Sequence, residues 1–192
     1  MPTRTVCTNQ QLLDYSEEHL LYELQLFRWI AENLPRDDGF PLSALLESFA
    51  IHLRNLVDFF YTQPVNARND DLVAADFFDP PSAWNPGGIP KSLADARERA
   101  NKEVSHITYR RKSGSDPTKP WPVSDLFDEV YAVSTEFAAA ASSTKLHPRV
   151  KEWLASDTVT RGFLLASAST TSSNTVASVG SWGAAVSGKK TP

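Results

Sequence analysis

Cysteine, methionine, long apolar runs and any strong excess of charge are all scarce in this chain. One cysteine, Cys7, in 192 residues rules out an internal disulfide and fits a reducing compartment. The longest uninterrupted apolar run, Phe137 to Ala141, falls far short of the ~20 residues that cross a bilayer, and no charged-then-apolar leader opens the chain. A soluble, cytoplasmic protein without a membrane partner is expected. A formal net charge of −4 excludes a polycation built for nucleic acid over its whole surface, and equally an acidic chain too self-repelling to fold. No repeat of solenoid period and no sustained heptad is present, which excludes a repeat array and a coiled coil.

What the chain has in quantity is helical periodicity. Its apolar share of 41%, with five Trp, ten Phe and five Tyr, fills the core of one domain of ordinary size. From about Leu12 to Leu34 apolar residues recur at helical spacing (Leu20, Leu24, Phe27, Ala31, Leu34). Leu26, Trp29 and Ile30 widen that arc, so the helix is expected to touch neighbours on more than one side. Pro35, Asp37, Asp38 and Gly39 stop it. Pro41 stands where a first-turn proline is tolerated, and Leu42, Leu45, Leu46, Phe49, Leu53, Leu56 and Phe60 follow in an unbroken i, i+3, i+4, i+7 stripe.

Residues 62–91 hold Pro64, Pro80, Pro81, Pro86, Pro90 and the Gly87-Gly88 pair, too many breakers for anything longer than a short turn near 71–78. A connection of that length is either a functional lid or mobile loop, or a cap in which Phe77, Phe78 and Trp84 close the open end of the core. A third helix is predicted from about Ser92 to Lys112, burying Leu93, Ala96, Ala100, Val104 and Ile107. A turn reaching Pro122 leads to a fourth helix, Val123 to Ser142, with Leu126, Phe127, Val130, Val133 and Phe137 inward. A short helix over Val150 to Ala155 is predicted to dock on the bundle end. From Ala166 onward eleven of 27 residues are Ser or Thr. The expectation is therefore one all-α domain over 1–165, an antiparallel up-and-down bundle of four to five helices, with a disordered tail over 166–192.

Few polar residues fall near the apolar stripes. If consecutive helices are antiparallel, Glu23 lies near the level of His52, His52 near Asn101, Arg54 near Arg99, and His106 near Glu47, Asp128 and Glu129. Two polar layers result, one around Glu23, His52 and Asn101, the other around Glu47, His106 and Glu129. Glu23 sits inside an apolar arc, where a carboxylate must find a partner, take up a proton or reach out to water. His52 reads as a satisfied histidine at the core boundary, and Arg54 with Asp58 as a solvated i,i+4 pair.

Charge is divided between helices. Residues 91–112 carry seven Lys/Arg against three carboxylates, and 14–34 carry five carboxylates against Arg28. On the basic helix Arg99, Glu103, His106 and Arg110 lie along one flank. A histidine beside two arginines suits phosphodiester cleavage: imidazole moves a proton near neutral pH while guanidinium groups hold the phosphate and its developing charge. The competing reading is a ridge of surface ion pairs, Arg99 with Glu103 and His106 beside Arg110.

At this ridge the chain resembles the HEPN-type helical bundles, whose late helix carries Arg, four to six residues, then His. Arg99-Ala-Asn-Lys-Glu-Val-Ser-His106 has the six-residue form. The resemblance covers about 12–142 by helix pattern and Arg99 and His106 by chemistry. It departs at Ala100, where active members favour a polar residue. It implies a homodimer whose paired motifs make a metal-independent RNA-cleaving site of a toxin or defence type, with an antitoxin-like protein partner and no cofactor. In that picture Arg99 clamps phosphate, His106 acts as acid or base and Arg110 offsets transition-state charge. Two other classes stay open. Glu103-Val-Ser-His106 is one Glu-x-x-His unit, a spacing that ferritin-like di-iron bundles use twice, which gives a metal-binding bundle. A non-enzymatic interaction module, using the long loop and the tail, is the other.

Overall fold

The computed structural model describes residues 4, 6–36, 39–104, 120–156 and 177–178. The first helix opens on a capping box. Thr8 Oγ1 accepts from the Gln11 N–H at 3.2 Å and Gln11 Oε1 accepts from the Thr8 N–H at 2.9 Å, satisfying donors that a helix start leaves orphaned. Thus α1 (Asn9–Tyr15) starts ahead of Leu12, because a polar cap leaves no mark in apolar periodicity. It passes through a π-helical turn, Ser16–Leu20, into α2 (Leu21–Glu32). Asn33 ends the rod, its Nδ2 donating to the Trp29 carbonyl at 2.8 Å.

Gly39, at φ 150, turns the chain through a conformation that side chains disfavour, and α3 (Phe40–Tyr61) follows with Pro41 in its first turn. After the 62–90 connection come α4 (Lys91–Arg99), which continues into a second π turn at Ala100–Val104, then α5 (Val123–Ala140) and α6 (148–156). Two-residue strands, β1 (Pro120–Trp121) and β2 (Ala177–Ser178), pair antiparallel, Pro120 opposite Ser178 and Trp121 opposite Ala177. The rest of the expected tail, 166–192, lies outside the described residues. So do 105–119, with Ile107 and the end of the expected third helix.

The all-α antiparallel bundle expected from periodicity is the observed architecture. Arg54 of α3 meets Asn101, and one helical turn further along α3 Asp58 meets Arg97, one turn back along α4. Ser92 likewise meets Glu129, while Arg99 lies over Trp121 just before α5 begins. Both pairs therefore run antiparallel. In the second register Glu129 sits with Ser92 at the start of α4; the layer expected around Glu47, His106 and Glu129 involves His106, which lies outside the described residues.

α3 is the central helix, packed against α2, α4 and α5. It buries Leu42, Leu46, Phe49, Ala50, Leu53, Leu56, Val57, Phe59 and Phe60, far more of its circumference than one stripe. The 62–90 connection closes the core, the second of its two expected roles. Phe77, Phe78 and Trp84 are buried, Trp84 Nε1 donates to the Phe60 carbonyl at 2.8 Å, and Phe78 stacks on Trp84. Lys145, 9% exposed, ties the segment down by donating to Phe78 O at 3.0 Å and Asp79 Oδ1 at 2.6 Å. Lys145→Ala strands the buried Phe78 carbonyl and is expected to cost about 1–3 kcal/mol, read from urea unfolding.

The π turn has a packing role as well. It carries Ser16 into the core, where its Oγ donates to Leu13 O at 2.9 Å and accepts from the His147 N–H at 3.0 Å, seating the segment that leads into α6. Arg149 then reaches Glu17 at 2.9 Å. That hydrogen bond, followed by the nearby charges of His147 and Arg149, holds the Glu17 carboxyl below its usual range. A folded value below the unfolded one contributes stability above the unfolded pKa and loses it as pH falls through the folded one. An NMR titration is expected to find the Glu17 midpoint lowered, and Arg149→Ala to raise it by removing the largest cause while the His147 charge remains.

Candidate functional site

The polar side chains of α3 gather on the seams it forms with α2 and α4. His52 Nδ1 lies 2.7 Å from Glu23 Oε2, the two side chains 11% and 25% exposed, so the carboxylate inside an apolar arc has its partner. The Tyr22 ring meets His52 edge-on. Burial, and after it the Glu23 charge, pushes the Tyr15 phenol above its ordinary value. Asn55 Nδ2 reaches Glu23 Oε1, and Arg54 Nη2 reaches Asn55 Oδ1, each at 3.5 Å, the outer limit of a hydrogen bond. Arg54 Nη1 donates to Asn101 Oδ1 at 3.3 Å. The layer expected around Glu23, His52 and Asn101 is present, and Asn55 and Arg54 bridge it.

Arg54 and Asp58 are not a solvated pair. Each reaches across to the α4 side, Arg54 to Asn101 and Asp58 to Arg97. A central helix has neighbours on several sides, so side chains opposite its main stripe can reach another helix, although Ile51 of α3 stays 41% exposed. Glu23→Ala leaves a buried imidazole nitrogen without its acceptor and is expected to cost about 1–3 kcal/mol. Glu23→Gln, whose amide oxygen still accepts from Nδ1–H, is expected to lose less. Thermal melts of the two variants check the order.

Of the ridge predicted on the basic helix, the described residues contain Arg99 and Glu103. Arg99 Nε lies 3.3 Å from Glu103 Oε2, and the Arg99 guanidinium sits 4.3 Å above the centre of the Trp121 ring. The Arg99 side chain is one-quarter exposed and Trp121 is buried. The Arg99–Glu103 ion pair of the competing reading is thus present. His106 and Arg110 lie outside the described residues. Trp121 is the member that periodicity did not single out. Its visible sign is Pro120-Trp121-Pro122: prolines on both sides stiffen an extended segment, and a large ring held there must cover something.

An open cleft of 470 Å³ is lined by Ala94, Arg97, Glu98, Asn101 and Lys102. Of these residues Asn101 and Arg97 reach α3, while Glu98 and Lys102 are exposed. Arg97 Nη2 makes ionic contact with Asp58 Oδ1, but at an angle that forms no hydrogen bond. Asp58 Oδ1 and Arg97 Nε are accordingly buried polar atoms without a hydrogen-bond partner. The second π turn brings Asn101 to this wall, and π turns inside α-helices recur at functional sites.

Among the described residues, no three His, Cys, Asp or Glu side chains come together in a way that could hold a metal ion, and no helix is long and apolar enough to cross a membrane. On α2, Tyr22 and Trp29 are 55% and 52% exposed, so the widened apolar arc is only partly covered: Ile30 is buried, Leu26 half-buried, and Trp29 faces outward. No family model, no curated protein and no solved structure matches this chain.

Proposed function

We propose that the protein is a HEPN-like RNA-binding bundle in which Arg99 holds a backbone phosphate, with metal-independent cleavage carried by His106 as acid or base and Arg110 as a further cation. The single observation that supports this is the fixing of Arg99. Glu103 and the Trp121 face restrain its guanidinium while a quarter of the side chain stays open. A restrained cation loses less conformational freedom on meeting phosphate than a waving surface arginine does. The whole molecule is mildly acidic, so binding is local, along the basic helix. The reading extends to a cytoplasmic homodimer with an antitoxin-like protein partner.

Anisotropy titration of a labelled single-stranded RNA tests the binding. Arg99→Ala is expected to weaken affinity across sequences and to lower the slope of log K against log salt by roughly one phosphate contact. An unchanged slope would remove Arg99 from the interface. A second reading, a non-enzymatic interaction module, is favoured by the exposed Tyr22 and Trp29, since aromatic rings of this kind anchor protein interfaces. Under it Trp29→Ala abolishes partner capture and Arg99→Ala leaves capture intact.

A further inference from the structure

We propose that α2 pairs with α2 of a second copy of this chain, antiparallel about a two-fold axis at Gln25 and Leu26, through the face that carries Tyr22 and Trp29. The order of side chains on that face carries the inference. Tyr22 and Trp29 are seven residues apart, about 10 Å along the helix and within about 20° of one direction around it, and both rings are exposed. Gln25 and Leu26 lie between them, to either side of the line that joins the rings. Turned end for end about that midpoint, the stripe fits itself. Tyr22 meets the partner's Trp29 and Trp29 meets the partner's Tyr22, while Gln25 and Leu26 each come beside their own copy. A closed two-fold contact requires a self-complementary patch of this kind, and aromatic rings are its usual anchors.

The remaining groups on the face agree with that pairing. Gln25 is exposed and its amide makes no hydrogen bond among the described residues, so two copies brought together can exchange N–H···O bonds. Leu26 is half-buried against the core, and its copy covers the edge it still shows. At the ends His19 comes near the level of the partner's Glu32, a base beside a carboxylate, both with exposed side chains. Glu32 is already paired with Arg28 of its own helix at 2.9 Å, which limits repulsion between two acidic helices. The same carboxylates, with Glu18 beyond Tyr22, oppose a polyanion stacking on these rings. The pairing rests on the interaction reading of Tyr22 and Trp29 and supplies its partner; it uses no residue of the Arg99 ridge.

Sedimentation of the full chain over a concentration series, joined to cysteine cross-linking in a Cys7→Ser background, tests it. The wild type is expected to dimerise, and Trp29→Ala to raise the dissociation constant about a hundredfold, because a substitution enters a two-fold interface twice and each lost aromatic anchor costs about tenfold. Under mild oxidation Gln25→Cys is expected to form a disulfide-linked dimer, its copies lying beside the axis. Glu18→Cys, also exposed but roughly 20 Å from its copy along the helices, is expected to stay unlinked. Arg99→Ala is expected to weaken RNA binding and leave the dimer intact, which separates failure here from failure of the RNA reading. A chain that stays monomeric at millimolar concentration overturns the proposal and leaves the rings to a different partner. A dimer unchanged by Trp29→Ala, or equal cross-linking through positions 25 and 18, overturns it and leaves only the homodimer of the RNA reading.

Discussion

Phe137→Ala is expected to destabilise the protein by about 3–5 kcal/mol, the range for truncating a fully buried aromatic. Phe137 is 1% exposed and its ring lies 5.5 to 5.9 Å from those of Phe59, Phe60, Phe77, Phe78 and Trp84, so one substitution removes the hub of the aromatic cluster. The cost depends on how far the surroundings collapse into the void, and here they are tethered. Trp84 is held to the Phe60 carbonyl and Lys145 pins Phe78 and Asp79. Against a domain stability of about 5–15 kcal/mol, the loss leaves a marginal fold. At about 2–4 °C per kcal/mol for a chain of this size, the melting temperature drops by roughly 10 °C. Phe137→Leu, which keeps most of the volume, is expected to lose about half as much. A change below ~1 kcal/mol for Phe137→Ala would mean that the 62–90 segment is not packed on this ring.

The second large effect is on activity. If the chain cleaves RNA as proposed, His106→Ala is expected to abolish cleavage in EDTA while the melting curve stays that of the wild type, since general acid–base catalysis is worth about 10²–10⁴-fold. Arg99→Lys is the more discriminating companion. It keeps the charge but loses the guanidinium Nε that meets Glu103 and the planar face on Trp121, so a restrained clamp becomes a mobile ammonium. Cleavage is expected to fall with Arg99→Lys, with RNA affinity reduced less than in Arg99→Ala. Equal cleavage by wild type and His106→Ala would falsify the nuclease reading, and activity returning only with a divalent ion would transfer it to metal chemistry.

Apolar periodicity made the bundle legible because every long helix buries a stripe: Leu42 to Phe60 on α3 and Leu126 to Phe137 on α5 show it directly. The Glu23–His52 pair was legible too, because a carboxylate in an apolar arc and a histidine at the same level of the next helix leave each other few alternatives. What periodicity missed was set by polar or irregular detail. The Thr8–Gln11 cap lengthened the first helix without an apolar residue. Arg54 and Asp58 read as surface residues because one helix viewed alone does not reveal how many neighbours surround it. Trp121 lay in a connection, where helical spacing carries no information, and so the ring beneath Arg99 went unread.

The π turn at Ser16–Leu20 has a consequence for length variation in this chain. Such a turn amounts to one residue more than α-helical pitch requires, so a deletion within it still closes into unbroken helix. The wide turn absorbs that residue without turning the helices on either side of it out of phase, so Leu12 would stay on the buried face it shares with Leu24. A deletion in the regular helix that follows has no such slack: it rotates everything upstream by about 100° and carries Leu12 away from the core. The first kind of shortened variant is expected to keep cooperative unfolding and the second to lose it, which circular dichroism and calorimetry would record.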